Sequence, residues 1–288
     1  MRPLGGRFPS VVAWLALVAL AAALPAVARG GEAEAARWLE GAAAALHPAE
    51  SMSARALLWT RDAEGDEEVL LLDWLRWTRD GTRQVVLEVR QPEAMQGSVY
   101  QLAFPGGATV DRRVWSPERG RLNRMRGDRP TDPFLGSFFT YEDLGWVRLA
   151  LGVPLRERRH SEAGDGRVTI ETGPYALYLG AELVLDAASG LPLRVGFRDR
   201  AGFEFRQLRF SDVREVDGRR LPHRIEVEDL LSGVRSRLEL DDVHFGVPVD
   251  PWLFEPDFGG RPLRRGTRID VPLPGDAETD GGPSPPTP

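Results

Sequence analysis

Turn dipeptides recur along most of this chain: Asp80-Gly81, Gly106-Gly107, Asp165-Gly166, Ser189-Gly190, Asp217-Gly218 and Ser232-Gly233. Between them apolar and polar residues alternate with period two, the pattern of strands that bury one face and wet the other. The alternating runs cover residues 53–61, 68–78, 82–90, 98–104, 109–116, 167–172, 175–186, 191–198, 202–211, 220–229 and 234–245. Connections this short leave no room for a parallel crossover, which needs a dozen residues or more, so neighbouring strands must mostly run antiparallel. The pattern predicts a mainly β fold, a meander of about eleven strands that is curled or partly closed.

One run departs from the alternation. In "VLLLDWLRW", residues 69–77, Val69, Leu71, Leu75 and Trp77 share one face while Leu70, Leu72 and Trp74 share the other. A strand apolar on both faces needs cover on both sides. That cover is a packed helix, a loop, or something held in the concave side of the sheet. By contrast, residues 220–229 set Leu221, Ile225 and Val227 against Arg220, Arg224, Glu226 and Glu228. A helix is predicted only near the start, over the Ala-rich residues 32–47, where Pro48 stops it.

The two ends of the chain read differently from its body. Arg2 and Arg7 precede an unbroken apolar run from Val11 to Leu24, followed by Ala26-Val27-Ala28. This is the layout of a secretory signal peptide over residues 1–28, cleaved after Ala28. The run falls short of the roughly 20 apolar residues that span a bilayer. The chain has no cysteine, so no lipid-acceptor thiol follows the cleavage site and the mature protein is expected to be free rather than lipid-anchored. Residues 259–288 are rich in Pro and Gly without periodicity and are expected to be a disordered tail. Residues 29–258 remain as one folded domain.

Composition argues against several kinds of chemistry. The net charge is −6 and all 37 basic residues are Arg, a poor balance for binding nucleic acid. The four His, at 47, 160, 223 and 244, lack the helical spacing of a metal pair. His223 lies on the apolar phase of its strand, where a histidine bonded to backbone is expected. Neighbouring carboxylates at 228–229 and 241–242 point to opposite faces of their strands, so they make poor acid–base partners. Neither a catalytic residue nor a cofactor is expected, and the chain is not read as an enzyme. The Arg-rich stretch from Arg112 to Arg129 reads as a charge-blunted edge strand and loop, with contact to anionic headgroups or an acidic partner surface as the alternative.

The remaining oddity is "DPFLGSFFTYEDL", residues 132–144, which crowds aromatic side chains around Pro133 and Gly136. Thr140 can cap a short helix whose third residue is Asp143, close to a capping box. That helix would run to about Leu151, with Gly136 and Gly145 as hinges. Residues 134–151 are thus expected to form a lid over the mouth of the sheet.

The same stretch resembles the G-S-D-F-[ST]-Y-E-D-L motif of the LolA-like outer-membrane lipoprotein-sorting family. So, in order along the chain, do "QPEAMQGSVY" at 91–100, "VWSPERGRLNRM" at 114–125, "LRFSDVREVDGRRLPHRIEVED" at 208–229 and the closing "DDVHFGVPVDPWLFEP". Phe138 stands where the family motif is acidic, which makes the position more apolar. The resemblance implies an incomplete antiparallel β-barrel with an N-terminal helix and a short helical lid. It also implies a periplasmic carrier that holds a lipid, or the acyl chains of a lipoprotein, in an apolar cavity, bound for the outer membrane. Candidate partners are a membrane transporter or an outer-membrane acceptor. The expected cavity lining is Trp59, Leu71, Trp77, Val85 and Leu87, with Phe138, Phe139 and Tyr141 from the lid. The alternative is a periplasmic interaction or sensor module of the same fold, accessory to a transporter.

Overall fold

The computed structural model describes residues 24–46, 50–104, 110–125, 131–141, 143–145, 158–163, 166–173, 178–255 and 258. The predicted leader up to residue 23, the tail 259–288 and residues 146–151 of the predicted lid helix lie outside the described residues.

Strands β1 (Met52–Arg61), β2 (Glu67–Arg79), β3 (Thr82–Gln91), β4 (Val99–Phe104), β5 (Asp111–Ser116) and β6 (Arg121–Arg124) come first. They are followed by β7 (Arg158–Ala163), β8 (Arg167–Thr172), β9 (Gly180–Asp186), β10 (Pro192–Arg198), β11 (Glu204–Val216), β12 (Arg219–Asp229) and β13 (Arg235–Phe245). All belong to one 13-stranded sheet in the order β6-β5-β4-β3-β2-β1-β13-β12-β11-β10-β9-β8-β7. Every neighbouring pair is antiparallel. The architecture is therefore the expected open antiparallel sheet, built from two meanders that meet where β1 pairs with β13.

Turn chemistry sets the hairpins. Asp80 and Gly81 have φ of 50° and 71°, and Asp217 and Gly218 have 52° and 74°. Two successive left-handed residues form the tight turn whose twist matches that of the flanking strands, and Asp-Gly is among the pairs that tolerate it. The two strands that the alternation missed, β6 and β7, are the outer edges of the sheet. Their sequences, "RLNR" and "RRHSEA", carry charge in place of an apolar face, as edge strands do to avoid pairing with other chains. The basic stretch after Arg112 thus contains the edge strand predicted for it.

Register decides which face is dry. Leu58 pairs with both Leu70 and Leu238, and Ala56 with both Leu72 and Leu240. Even-numbered residues of β1 and β2 therefore share the concave face with Leu238 and Leu240 of β13. There they join the main core with Ala35, Leu39 and Ala42 of the helix α1 (Leu24–Leu46). Helix α1 packs against β7 and β12; it starts before the predicted boundary and runs across the proposed cleavage site. Among the described residues no helix is long and apolar enough to cross a membrane. On the convex face, Leu75, Val86, Val99 and Trp115 form a second cluster with Val247, Leu253 and Phe258. The last described segment folds back over β2 to β5, and this supplies the double cover that "VLLLDWLRW" demanded. Gln101 fixes it by donating to the carbonyls of Leu253 and Glu255 at 2.7 and 3.1 Å.

Candidate functional site

Residues 131–141 and 143–145 form a strap across the concave face. Its tip is a tight turn: Ser137 N donates to Phe134 O at 2.9 Å, with Leu135 and Gly136 at φ 49° and 76°. A Cβ at Gly136 would meet nothing within 4 Å, so glycine is required there by the backbone and not by crowding. Phe134 N donates to Phe139 O, and Tyr141 N to Asp132 O, which closes the strap into a miniature hairpin. Its aromatic residues point inward: Phe134, Phe139 and Tyr141 are each about as buried as the strand core, and Phe134 meets Tyr141 edge-on at 5.5 Å.

Three strands from both wings of the sheet hold this strap. On β5, the buried Arg112 donates to Asp132 at 2.6 Å and lies 4.4 Å over the Tyr141 ring. Burial pushes the Tyr141 hydroxyl pKa up, an effect that Arg112 partly opposes. On β13, Ser236 Oγ accepts from Phe138 N at 2.8 Å. On β11, Arg206 donates through both terminal nitrogens to Asp143 and reaches Phe138 O at 3.3 Å. The side chains of this last pair are only 4% and 1% exposed. Asp143 also completes the anticipated cap: its carboxylate accepts from Thr140 N at 2.6 Å, while Asp143 N donates to Thr140 Oγ1 at 3.3 Å. The described part of the predicted lid helix is a 3-10 turn, Asp143–Gly145.

Beneath the strap lies a cavity of about 70 Å³. Its apolar wall includes Met52, Trp74, Val85, Phe139, Leu238 and Leu240. Arg76 and Arg83 also line it, each 5% exposed. Arg76 donates to Leu46 O at 2.9 Å, and burial lowers its pKa to about 10. Arg83 stacks 4.3 Å over Phe104. Among the described residues, Trp74 Nε1 is a buried donor with no hydrogen-bond partner.

The residues expected to line the cavity divide. Val85 and Phe139 lie on its wall, and Leu87 and Tyr141 belong to the same core. Phe138 packs on that core half-buried, 5.4 Å from Arg206. Trp59, Leu71 and Trp77 do not line it. They are odd-numbered residues of β1 and β2 and face the convex side, where Trp59 lies over Arg237 and Trp77 against Phe254 at 5.4 Å. On a strand apolar on both faces, alternation cannot tell one side from the other, and slipping by one residue exchanges them. A discriminating signal was present in β1: Arg55 and Arg61 share the parity of Trp59. Of the lid aromatics, Phe139 and Tyr141 are sunk in the core. Arg112, Arg206 and Ser236 were not foreseen. Their partners lie far away in sequence, and no local pattern marks them. His223, as expected, is buried with Nδ1 3.2 Å from Leu221 O, and its pKa is lowered chiefly by burial. Among the described residues no cluster of three His, Asp or Glu could hold a metal.

A family model described only as an uncharacterized protein matches residues 81–258. No curated protein matches the chain. Three solved structures share the fold. A domain named for outer membrane lipoprotein sorting, from Vibrio parahaemolyticus, is 20% identical, with 77% of this chain and 95% of that one covered and a TM-score of 0.63. A DUF1329 family protein from Desulfovibrio piger is 16% identical, with 79% and 96% covered and a TM-score of 0.64. A LolA superfamily protein from Nitrosomonas europaea is 18% identical, with 78% and 98% covered and a TM-score of 0.58. The structural neighbours are thus LolA-like, and at these identities the likeness is one of fold.

Proposed function

The chain belongs to the uncharacterized-protein family whose model matches residues 81–258, and on its LolA-like fold we propose that it is a periplasmic carrier of acyl chains. Its cargo would be a lipid or an acylated lipoprotein on the way to the outer membrane. The observation that carries this reading is an apolar cavity on the concave face, roofed by an aromatic strap that polar contacts hold in place. A chain brings about 0.8 kcal/mol per buried CH₂, roughly 10 kcal/mol gross for a long one, before the cost of ordering it.

The cavity of about 70 Å³ has room for only about five waters. A long acyl chain therefore requires the strap to lift. An acyl chain that takes the place of Phe139 and Tyr141 exchanges one apolar contact for another. The main cost of opening is then the Asp143–Arg206 pair. The same latches favour a second reading, in which the sheet stays closed and serves as a periplasmic interaction or sensor module beside a membrane transporter.

Titration with bromine-labelled hexadecanoate separates the two, because Trp74 stands on the cavity wall. The carrier reading expects saturable quenching of tryptophan fluorescence that falls in Trp74→Phe. Quenching that does not saturate, or that Trp74→Phe leaves unchanged, overturns it in favour of the module. The domain limits belong to the same proposal: a cleaved leader 1–28, the folded domain 29–258 and a disordered tail.

A further inference from the structure

Two hairpin tips at one end of the sheet hold apolar side chains out in water. The β10–β11 turn ends in Phe203, 72% exposed, and the β12–β13 turn carries Leu231, 81% exposed; these are the most exposed large apolar residues described. The two turns are built alike. Asp199 opens the first, and its Oδ1 accepts from Ala201 N and Phe203 N at 2.8 and 3.0 Å. Asp229 opens the second, and its Oδ1 accepts from Leu231 N and Ser232 N at 2.8 and 3.1 Å. Leu230 N donates across to Phe205 O at 2.8 Å, which ties the tips together. Leu230 itself is exposed, as is Leu179, whose N–H is fixed to Arg198 O at 2.9 Å. A Cβ on Gly202, the residue before Phe203, would lie 4.0 Å from the Leu179 side chain. Leu179, Phe203, Leu230 and Leu231 thus make one protruding apolar end, held in shape by its own hydrogen bonds.

We propose that this end docks the protein reversibly on a lipid bilayer, with Phe203 and Leu231 inserted at the level of the headgroups. Four side chains of this size make a patch of a few hundred Å², short of the roughly 800 Å² that each partner gives to a standard protein interface. A bilayer sets no such minimum, because lipid closes around whatever protrudes. The N–H groups of Ala201, Phe203, Leu231 and Ser232 already have carboxylate partners, so leaving water strands none of them. Charge does not drive the contact. Arg198, Arg200 and Arg235 stand against Asp199, Glu204, Glu228 and Asp229, and the neighbouring β1–β2 turn adds Asp62, Glu64 and Asp66. The same end is where the strap is held. Arg206, which grips Asp143, pairs in register with Asp229, and Ser236, which accepts from Phe138 N, pairs with Val227. Docking therefore brings the latches of the strap close to lipid. The inference goes beyond the carrier reading, since a surface contact needs no cargo in the cavity.

The test is co-sedimentation of the exported protein with vesicles of phosphatidylcholine, alone or mixed with phosphatidylglycerol, at low and high salt. Saturable binding to phosphatidylcholine is expected, changing by less than about 3-fold with salt, because screening acts on charges and not on apolar contact. Phe203→Ser combined with Leu231→Ser should weaken binding about 10-fold or more. Its melting temperature should stay within about 3 °C of the parent, as for other surface changes. Phe203→Leu should keep most of the binding. Quenching by bromine-labelled hexadecanoate should be the same in the double variant and the parent, so failure of docking and failure of the carrier reading are told apart. No binding to either vesicle overturns the proposal, as does binding that the double variant leaves unchanged. Binding to the anionic vesicles alone, abolished by high salt, also overturns it, in favour of an electrostatic contact such as the Arg-rich edge β6. A dimer seen by sedimentation without lipid, and lost in the double variant, overturns it in favour of an interface between two copies of the chain.

Discussion

Replacing Asp143 with Ala tests whether the strap is latched by charge. The substitution removes the carboxylate from a pair whose side chains are 4% and 1% exposed. Arg206 is left between the rings of Phe138 and Phe197, which lie 5.4 and 5.2 Å away. Removing one partner of a buried ion pair costs about 3–5 kcal/mol, chiefly because the other charge stays buried. For a domain of this size each kcal/mol shifts the midpoint by about 2–4 °C, so the melting temperature should fall by about 6–20 °C. The double variant Asp143→Leu with Arg206→Met puts apolar surface on both sides and should recover at least half of that loss, since apolar replacement of a buried pair is often neutral or stabilising. Thermal melts followed by circular dichroism measure both. A fall of under about 3 °C for the single variant, or no recovery in the double, would refute the claim that this pair holds the strap.

Three further outcomes follow from the structure. Because burial lowers the folded pKa of His223 below its ordinary 6.5, the unfolded chain binds the extra proton first. Stability should therefore fall as pH drops below about 6.5, and His223→Gln should remove that part of the acid sensitivity in urea melts at pH 7 and pH 5. Leu253→Ala should cost about 2–5 kcal/mol in urea unfolding by opening the convex cluster, while amphiphile binding per folded molecule stays unchanged. Loss of binding would mean that the two faces are coupled. N-terminal sequencing of the exported protein should find Arg29 first, and retention of residues 11–24 in a membrane fraction would contradict the leader.

The strands of the sheet were legible because their turns are local. Asp80-Gly81 and Asp217-Gly218 announce their hairpins within two residues. The edges β6 and β7 were not legible, because an edge strand suppresses the apolar alternation that would reveal it. The Thr140–Asp143 cap could be read at a spacing of three, whereas its bond to Arg206 could not, since sheet order alone brings β11 to the strap. The cavity wall was half legible. Val85 shares its parity with Leu87 and Val89, but β2 is apolar on both faces, and only its register with β1 places Trp74 and Arg76 inside and Leu71 and Trp77 outside.

The seam between β1 and β13 carries a consequence for how the protein is made. The first strand of the sheet completes one of its hydrogen-bonded edges only when the last strand arrives, as the pairing of Leu58 with Leu238 requires. Such long-range pairing closes late and slowly, because the loop entropy is spent before the contact forms. Until β13 has emerged, β1 and β12 both present open edges to other chains. A nascent chain halted before Arg235 should therefore be vulnerable to aggregation and proteolysis. A chain passed through a membrane before its final strand is available has the opposite advantage: it cannot lock into its finished shape too early.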